Sequence, residues 1–515
     1  MSDFRIERAI ISVWNKDGIE ELAEILQESD VDIFSTGGTA RKLQENGIEV
    51  TLISDITKYP EILNGRVKSL HPDIYGGLLA DPDNKDHQAD LEKVDIDPIQ
   101  LVIGNLYPFS EVFEDEDKNE NEILEMIDIG GPSMLRASAK NYQNVAVISD
   151  PSQYDTFINR FKNDKIDRDY RKKLAQKAFK KTLQYDQNIT KYFSDLLGED
   201  NYVGGVYNKV HDLRYGENPD QEAGFYSPDS KGEWVPFQQL AGKELSYNNY
   251  RDCRAAYEII KDMQIEEPAC ALIKHMNPCG FGIGKDLKAA YSRAVATDPK
   301  SYFGGIVSVN RKVTGELAQE ITESFLECVI APGYEEEALE VFKEKEKLRL
   351  LIPDEEGLDV DKKMVKYGKG LLIQDAQKID RKEEEDWEIV TDNKNTGDYI
   401  KSLLIGWHLV KNVKSNAIVL ADDTGAVGVG AGQMSRVDAL KIAIRKAEEA
   451  GLKIEDAIMA SDAFFPFRDS IDLANEYGIS GVIQPGGSIR DDQVVEACDE
   501  FDMFMIFTGK RVFKH

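Results

Sequence analysis

Five short stretches gather side chains able to hold an anion or move a proton. Ser35-Thr36-Gly37-Gly38-Thr39 sets two glycines among three hydroxyl residues. Such glycines let the backbone curl so that N–H groups and hydroxyls converge where a helix begins, an arrangement that holds phosphate. An ordinary capped turn uses the same residue types. In Asn64-Gly65-Arg66-Val67-Lys68-Ser69-Leu70-His71-Pro72 an Arg, a Lys and a His share one Gly/Pro-bounded segment. Loops of that kind run over the surface, so a second anion contact is expected there. Asn105-Leu106-Tyr107-Pro108-Phe109 adds a phenol, and Asp128-Ile129-Gly130-Gly131-Pro132, followed by Arg136 and Lys140, adds a carboxylate and an amine. Asp128 alone reads equally as a helix cap and Lys140 alone as a surface lysine. Taken with Lys68 and Tyr107 they make a set expected on loops over one sheet edge and suited to proton transfer. Lys274-His275 places an amine beside an imidazole ahead of Asn277-Pro278-Cys279-Gly280; by itself such a histidine is as readily structural.

The elements that must carry these groups alternate. Ala9 to Val13 is a β-branched run, Ile19, Leu22, Ala23 and Leu26 recur at helical spacing, and Val31 to Phe34 is again strand-like. Leu101 to Leu106 and Val145 to Ile148 predict further buried strands. A mostly parallel sheet covered on both faces follows, with ligands at the strand C-termini. The stretch Asp164 to Asn201 has helical spacing and ends at Gly198-Glu199-Asp200-Asn201, which sets a domain boundary near residue 200. The rest repeats the mixed α/β pattern twice, with Glu383-Glu384-Glu385-Asp386 between the parts; that run and Glu114-Asp115-Glu116-Asp117 read as solvated loops.

Composition narrows the function. The 515 residues carry 63 Lys+Arg against 94 Asp+Glu, a formal charge of −31, with 41% apolar residues. That is a globular, acidic chain of about three domains at roughly 150 residues each. The charge opposes binding to nucleic acid or acidic lipid, so anionic ligands need small, preorganised sites. The five cysteines, Cys253, Cys270, Cys279, Cys328 and Cys498, never fall as CxxC and read as reduced thiols; the six scattered histidines make no zinc pattern. With no secretory signal and no 18-residue apolar run, a cytoplasmic protein is expected. Gly428-Val-Gly430-Ala-Gly432 follows a hairpin-like Asp422-Asp423-Thr424-Gly425 and lacks the third glycine of a dinucleotide fingerprint in place.

Longer blocks carry a resemblance. RVKSLHP, NLYPF, IDIGGPSMLRASAKN, LRYGENP, KELSYNN, IKHMNPCGFGIG, DPKSYFGGI, IAPGYEEEAL, KSNAI, GAGQMSR, SDAFFPFRD, QPGGSIRDD and RVFKH closely resemble the bifunctional purine-biosynthesis family that joins AICAR formyltransferase to IMP cyclohydrolase, over essentially the whole length. The resemblance implies a methylglyoxal-synthase-like cyclohydrolase domain at 1–199 and a formyltransferase domain at 200–515 built of two cytidine-deaminase-like subdomains, split near 380. It implies 10-formyltetrahydrofolate as cosubstrate, no catalytic metal, a possible structural K+ and a homodimer.

By that resemblance Lys68, Tyr107, Asp128 and Lys140 serve ring closure, Lys140 as proton shuttle. Ser12 to Trp14, Ser35, Thr36, Gly37, Gly38, Thr39, Arg66, Ser69 and Asn105 hold the nucleotide. His275 takes a proton from the AICAR amine and Lys274 steadies the developing oxyanion. Arg214, Tyr215, Gly304, Glu327, Asn416, Phe464 and Arg511 match AICAR-binding positions, and Arg436, Asp469 and Ser488 folate-binding ones. Trp14, Asp220 and Glu327 depart from the family's usual residues. Arg511 near the end of the sequence implies that this segment is ordered. Two rivals rest on the N-terminal pattern: a nucleotide-sensing module, and a phosphate-eliminating synthase that leaves residues 200–515 unexplained.

Overall fold

The structure is a computed structural model that describes residues 4–63, 66–199, 203–228, 233–378 and 381–515. It divides into two compact units, Met1–Asn208 and Lys209–His515.

The first unit is built on five parallel strands, β1 (Arg8–Ser12), β2 (Asp32–Ser35), β3 (Thr51–Leu52), β4 (Leu101–Gly104) and β5 (Ala146–Ile148), in the order β3-β2-β1-β4-β5. Ala9 to Ile11, Leu101 to Ile103 and Ala146 to Ile148 are all fully buried, as unbroken apolar runs in a doubly covered parallel sheet must be. The order reverses between β1 and β4, and the crevice beyond the carboxyl ends of those two strands is where such a sheet takes ligands. Helix Gly37–Glu45 starts inside the Ser-Thr-Gly-Gly-Thr stretch. Helix Arg168–Leu197 is capped by Asp167, whose side chain accepts the Tyr170 N–H, and stops at Gly198 in the left-handed conformation.

The second unit is one twelve-stranded sheet made of the same six-stranded pattern twice. From one edge the strands run Phe237–Ala241, Arg349–Pro353, Cys328–Ile330, Ile306–Val309, Ala269–Lys274, Asn277–Ile283. They then continue through Gly425–Gly430, Ile418–Asp422, Ile458–Ser461, Gly481–Gln484, Phe504–Phe507 and Glu388–Ile389. Counted outward from the middle, each half has a hairpin, an antiparallel neighbour, two parallel additions and an antiparallel edge strand. The halves join through one antiparallel seam, Gly282 opposite Gly425. Covering helices repeat too: Leu287–Thr297 follows the first hairpin as Arg436–Ala450 follows the second. A Cβ on Gly280 or Gly282 would overlap the carbonyls of Ala294 or Ala290, and on Gly428 or Gly430 those of Ala443 or Ala439. The glycines of Gly428-Val-Gly430 therefore serve helix-on-strand packing, not a phosphate turn.

Between the halves the hairpin Lys362–Tyr367/Gly370–Asp375 lies exposed. Glu114 to Asp117 is an exposed loop, and the acidic run near 385 lies in the short turn Arg381–Asp386. The five cysteines are buried free thiols. Among the described residues no helix is long and apolar enough to cross a membrane.

Candidate functional site

At the crevice between β1 and β4, Asn105 ties the two strand ends together. Its Oδ1 accepts from the Trp14 N–H (2.6 Å) and the Asn15 N–H (2.9 Å), and its Nδ2 donates to Asn15 O (2.8 Å). Thr39 Oγ1 donates to Val13 O and accepts the Val13 N–H, so the turn at 36–39 is bolted to the end of β1. Ser12 Oγ lies 3.5 Å from Thr36 Oγ1. Ser35 donates to Ile11 O at 2.6 Å and is wholly buried, which commits its hydroxyl to the sheet.

The groups expected to move protons, Lys140 apart, lie beside this turn. A Cβ on Gly37, where φ is +46°, would come 4.0 Å from Lys68 Nζ, and one on Gly130 3.2 Å from Ser69 Oγ. The 68–69 segment therefore faces both the hydroxyl turn and the start of helix Gly130–Lys140. Asp128 Oδ1 accepts the Gly131 N–H at 2.9 Å, while its own N–H donates to Tyr185 Oη at 2.7 Å. Burial pushes the Asp128 carboxyl above its usual range, and the Gly131 and Gly130 N–H groups and Lys68 only partly offset this. Burial also raises the Tyr107 phenol, and Asp128 adds to that. The half-exposed Trp14 ring lies 4.9 Å from the Tyr107 ring, centroid to centroid.

Two expectations change here. Lys140 is not brought to this set: helix Gly130–Lys140 crosses from the carboxyl edge of β4 to the amino edge of β5, and its ten steps rise about 15 Å. Its exposed last residue lies at the sheet edge opposite Asp128. Arg66 pairs with Glu125 on the surface, so its guanidinium already has an anion.

In the second unit the sheet topology does the gathering. Because the seam is antiparallel, the carboxyl ends of the parallel strands in the second half share an edge with the amino ends of those in the first. Lys274-His275, Gly304 and Glu327 from the first half thus lie on one edge with Asn416, Arg436, Phe464, Asp469, Ser488 and Arg511 from the second. His275 is exposed in the two-residue turn between Ala269–Lys274 and Asn277–Ile283. Lys274 Nζ donates to Phe303 O at 2.7 Å, and a Cβ on Gly304 would meet that ammonium at 3.0 Å. Glu327 pairs with the buried Arg349 at 2.6 Å.

Across the seam, Asn277 Oδ1 accepts the Lys414 N–H at 2.9 Å, and Asn416 exchanges hydrogen bonds with Gln433. Arg436 reaches the fully buried Asp462 at 3.1 Å as well as Ser461 Oγ and Ala463 O. The guanidiniums of Arg436 and Arg511 both lie over the Phe513 ring, 5.7 and 4.5 Å from its centre. The segment from Arg511 on is ordered: Val512 is buried with its N–H on Asp462 O, and Lys514 and Ser415 bond reciprocally. Asp469 and Ser488 lie farther out, in the first turn of helix Asp469–Glu476 and in the loop before helix Asp491–Glu500. Arg214 and Tyr215 contact each other, and their loop is tied to helix Tyr247–Met263 through Glu217 O and Asn248.

One residue escaped the sequence reading. Asp252 accepts the Met276 N–H at 2.7 Å, directly behind His275. The signal was available: Asp252 falls at helical spacing with Ala256, Ile259 and Met263, all buried, so a charge interrupts an apolar stripe.

Comparison with known proteins covers the whole chain. Residues 138–446 match the family described as the AICARFT/IMPCHase bienzyme, and residues 18–133 match the MGS-like domain. The bifunctional purine biosynthesis protein PurH of Halalkalibacterium halodurans is 47% identical over 99% of this chain and 99% of its own length. PurH of Petrotoga mobilis is 44% identical, and that of Bacillus thuringiensis 45%, each over 99% of this chain and 100% of its own length.

Proposed function

The chain belongs to the AICARFT/IMPCHase bienzyme family, and from that premise we propose how its residues divide the two reactions. It is a bifunctional enzyme of purine biosynthesis, formylating AICAR from a folate-type donor and closing the product to IMP. The donor in this reading is 10-formyltetrahydrofolate, held by Arg436, Asp469 and Ser488.

For formyl transfer the AICAR amine is a weak nucleophile, its lone pair being delocalised into the imidazole and carboxamide. His275 takes the proton as the amine attacks the formyl carbon, and Lys274 neutralises the oxyanion; the intermediate then collapses, the bond from the formyl carbon to the donor's nitrogen breaks, and that nitrogen leaves with the proton His275 held. A positioned base contributes about 10² to 10⁴ in rate, and an oxyanion donor about 3 to 4 kcal/mol. Arg214 and Arg511 supply the cations for the ribotide phosphate, which an overall charge of −31 makes necessary.

Ring closure joins groups already on one molecule, so orientation supplies most of the rate. The 36–39 turn and Lys68 hold the phosphorylated end. Asp128 receives the carboxamide proton as nitrogen attacks the formyl carbon, and Tyr107, kept protonated by burial, donates to the formyl oxygen; the C–O bond then breaks as that oxygen takes its second proton from Asp128, and the formamide N–H proton, released as the ring C=N forms, restores Tyr107. Lys140 takes no part in this scheme within one chain.

For a structural K+ the described residues offer an orphaned buried carboxylate oxygen that fits a cation. Asp462 Oδ2 is wholly buried without a hydrogen-bond partner, while the other carboxylate oxygen takes Arg436; hard cations take oxygen ligands, and a K+ there would use Oδ2. Homodimerisation and a cytoplasmic location complete the proposal.

The observation that carries the reading is the exposed His275 turn beside Lys274 on the edge shared by both halves. The test is His275→Ala in the full chain. Formyl transfer is lost while supplied formyl-AICAR still closes to IMP; retained transfer would remove His275 from the reaction.

A further inference from the structure

The turn that presents His275 has an unusual composition for its shape. Its two central residues, His275 and Met276, both hold positive φ, +50° and +64°. Two-residue hairpin turns of this hand favour Asn-Gly, Asp-Gly or Gly-Gly, because residues with a Cβ are strained there. Histidine is tolerated in the left-handed region better than most residues with a Cβ, but methionine is not favoured there, so the Met276 position is the one that needs outside support.

The repeated half closes its two-residue turn differently, with neither Asp423 nor Thr424 at positive φ, and holds it from within the hairpin. In the equivalent turn, between Ile418–Asp422 and Gly425–Gly430, Asp422 Oδ1 accepts the Thr424 N–H (2.8 Å), the Gly425 N–H (2.9 Å) and the Thr424 hydroxyl (2.6 Å). A strand-end residue of that hairpin thus holds its own turn. In the first half the corresponding position is Lys274, whose ammonium points to Phe303 O instead. The bond to the Met276 N–H comes from outside the hairpin, from Asp252 on helix Tyr247–Met263. Asp252 forms no ion pair among the described residues, and burial raises its carboxyl above the usual range. A carboxylate kept at that cost on an apolar stripe, bonded to the peptide next to the base, has a purpose other than stability.

We propose that Asp252 is a positioning residue for formyl transfer: by accepting the Met276 N–H it holds the left-handed turn that aims the His275 imidazole at the reacting amine. This rests on His275 as the base.

The test uses the full chain, with AICAR formylation, closure of supplied formyl-AICAR and thermal melting measured on the same preparations. Asp252→Ala should lower the formylation kcat by about 10²-fold, the scale of a roughly 1 Å misplacement. Its KM for AICAR should stay within about threefold, since uniform binding is untouched, and ring closure should be unchanged. Asp252→Asn keeps an oxygen acceptor and should recover most of the kcat. Adding Met276→Gly to Asp252→Ala should also recover kcat, because glycine holds that φ unaided. Should the alanine variant not fold, Asp252→Glu, which displaces the acceptor by one methylene, takes its place with the same expected kcat loss. The proposal is overturned if Asp252→Ala or its substitute keeps wild-type kcat, or if Asp252→Asn falls as far as Asp252→Ala. If His275→Ala itself retains transfer, the reading beneath the proposal fails; if only His275→Ala loses it, the positioning role alone fails.

Discussion

Gly304 offers a sharp test of how the formyl-transfer site is built. It has φ +66°, donates its N–H to Phe325 O at 2.7 Å, and leaves room for a Cβ only 3.0 Å from Lys274 Nζ and 3.4 Å from the Phe325 ring. Gly304→Ala therefore does two separable things. Alanine in the left-handed region costs about 1 to 2 kcal/mol of folding stability. The new methyl also pushes the ammonium off Phe303 O, which is cheap for a flexible lysine but removes the oxyanion donor, about 3 to 4 kcal/mol or 10² to 10³ in kcat. The expected protein melts slightly lower, formylates AICAR about 10² to 10³ more slowly and closes formyl-AICAR normally. A double-mutant cycle fixes the route: in a Lys274→Ala background the same methyl should cost almost no further kcat, because its effect passes through Nζ. Wild-type transfer by Gly304→Ala, or an undiminished loss in the Lys274→Ala background, refutes the reasoning.

Three other outcomes follow from the same geometry. Burial raises the Asp128 carboxyl above its usual 3.8, so its contribution to stability is complete below that value and is lost as pH rises through the folded one. Asp128→Asn should then melt higher than wild type at pH 7 but not at pH 3, while ring closure falls about 10² to 10⁴-fold. Deleting residues 511–515 exposes the pocket of Val512, a side chain worth about 1.5 to 3 kcal/mol when buried, and should lower melting and abolish formyl transfer with ring closure intact. Trp14 is the lone tryptophan of the first unit and half-exposed beside Tyr107; its fluorescence should respond to inosinate, and Trp14→Ser should weaken that binding by about 1 to 3 kcal/mol, with Trp14→Phe close to wild type.

The sequence displayed what is local. Apolar runs such as Ile10 to Ile11 and Val102 to Ile103 announced buried strands, and the glycines at 37 and 38 marked where a helix begins, because neighbouring residues decide those features. What depends on a partner far along the chain was hidden. Ser35 looked like a phosphate hydroxyl until Ile11 O claimed it, and Arg66 looked unpaired until Glu125 met it. Lys140 shares a motif with Asp128, yet a helix in between sends it to the far edge, a consequence of rise per residue rather than residue type. Asp252 showed in the sequence only as a charge on an apolar stripe; its partner, a backbone N–H of another element, did not. That the residues proposed for formyl transfer share an edge at all depends on the direction of one seam, Gly282 against Gly425, which no short stretch encodes.

The twofold repetition of the sheet leaves the chain with a second rim, equivalent by symmetry to the one bearing His275 but occupied very differently. There the strand ends open onto a cleft lined by Asp286, Glu316, Glu335 and Glu337, with Lys288 the single basic residue. A polyanionic ribotide or a glutamate-bearing pterin approaching that rim meets carboxylates, and like-charge juxtaposition discourages wrong docking more strongly than it alters affinity elsewhere. Duplicated architecture repeats the strands but not their charges, and the two matching rims differ in electrostatic character.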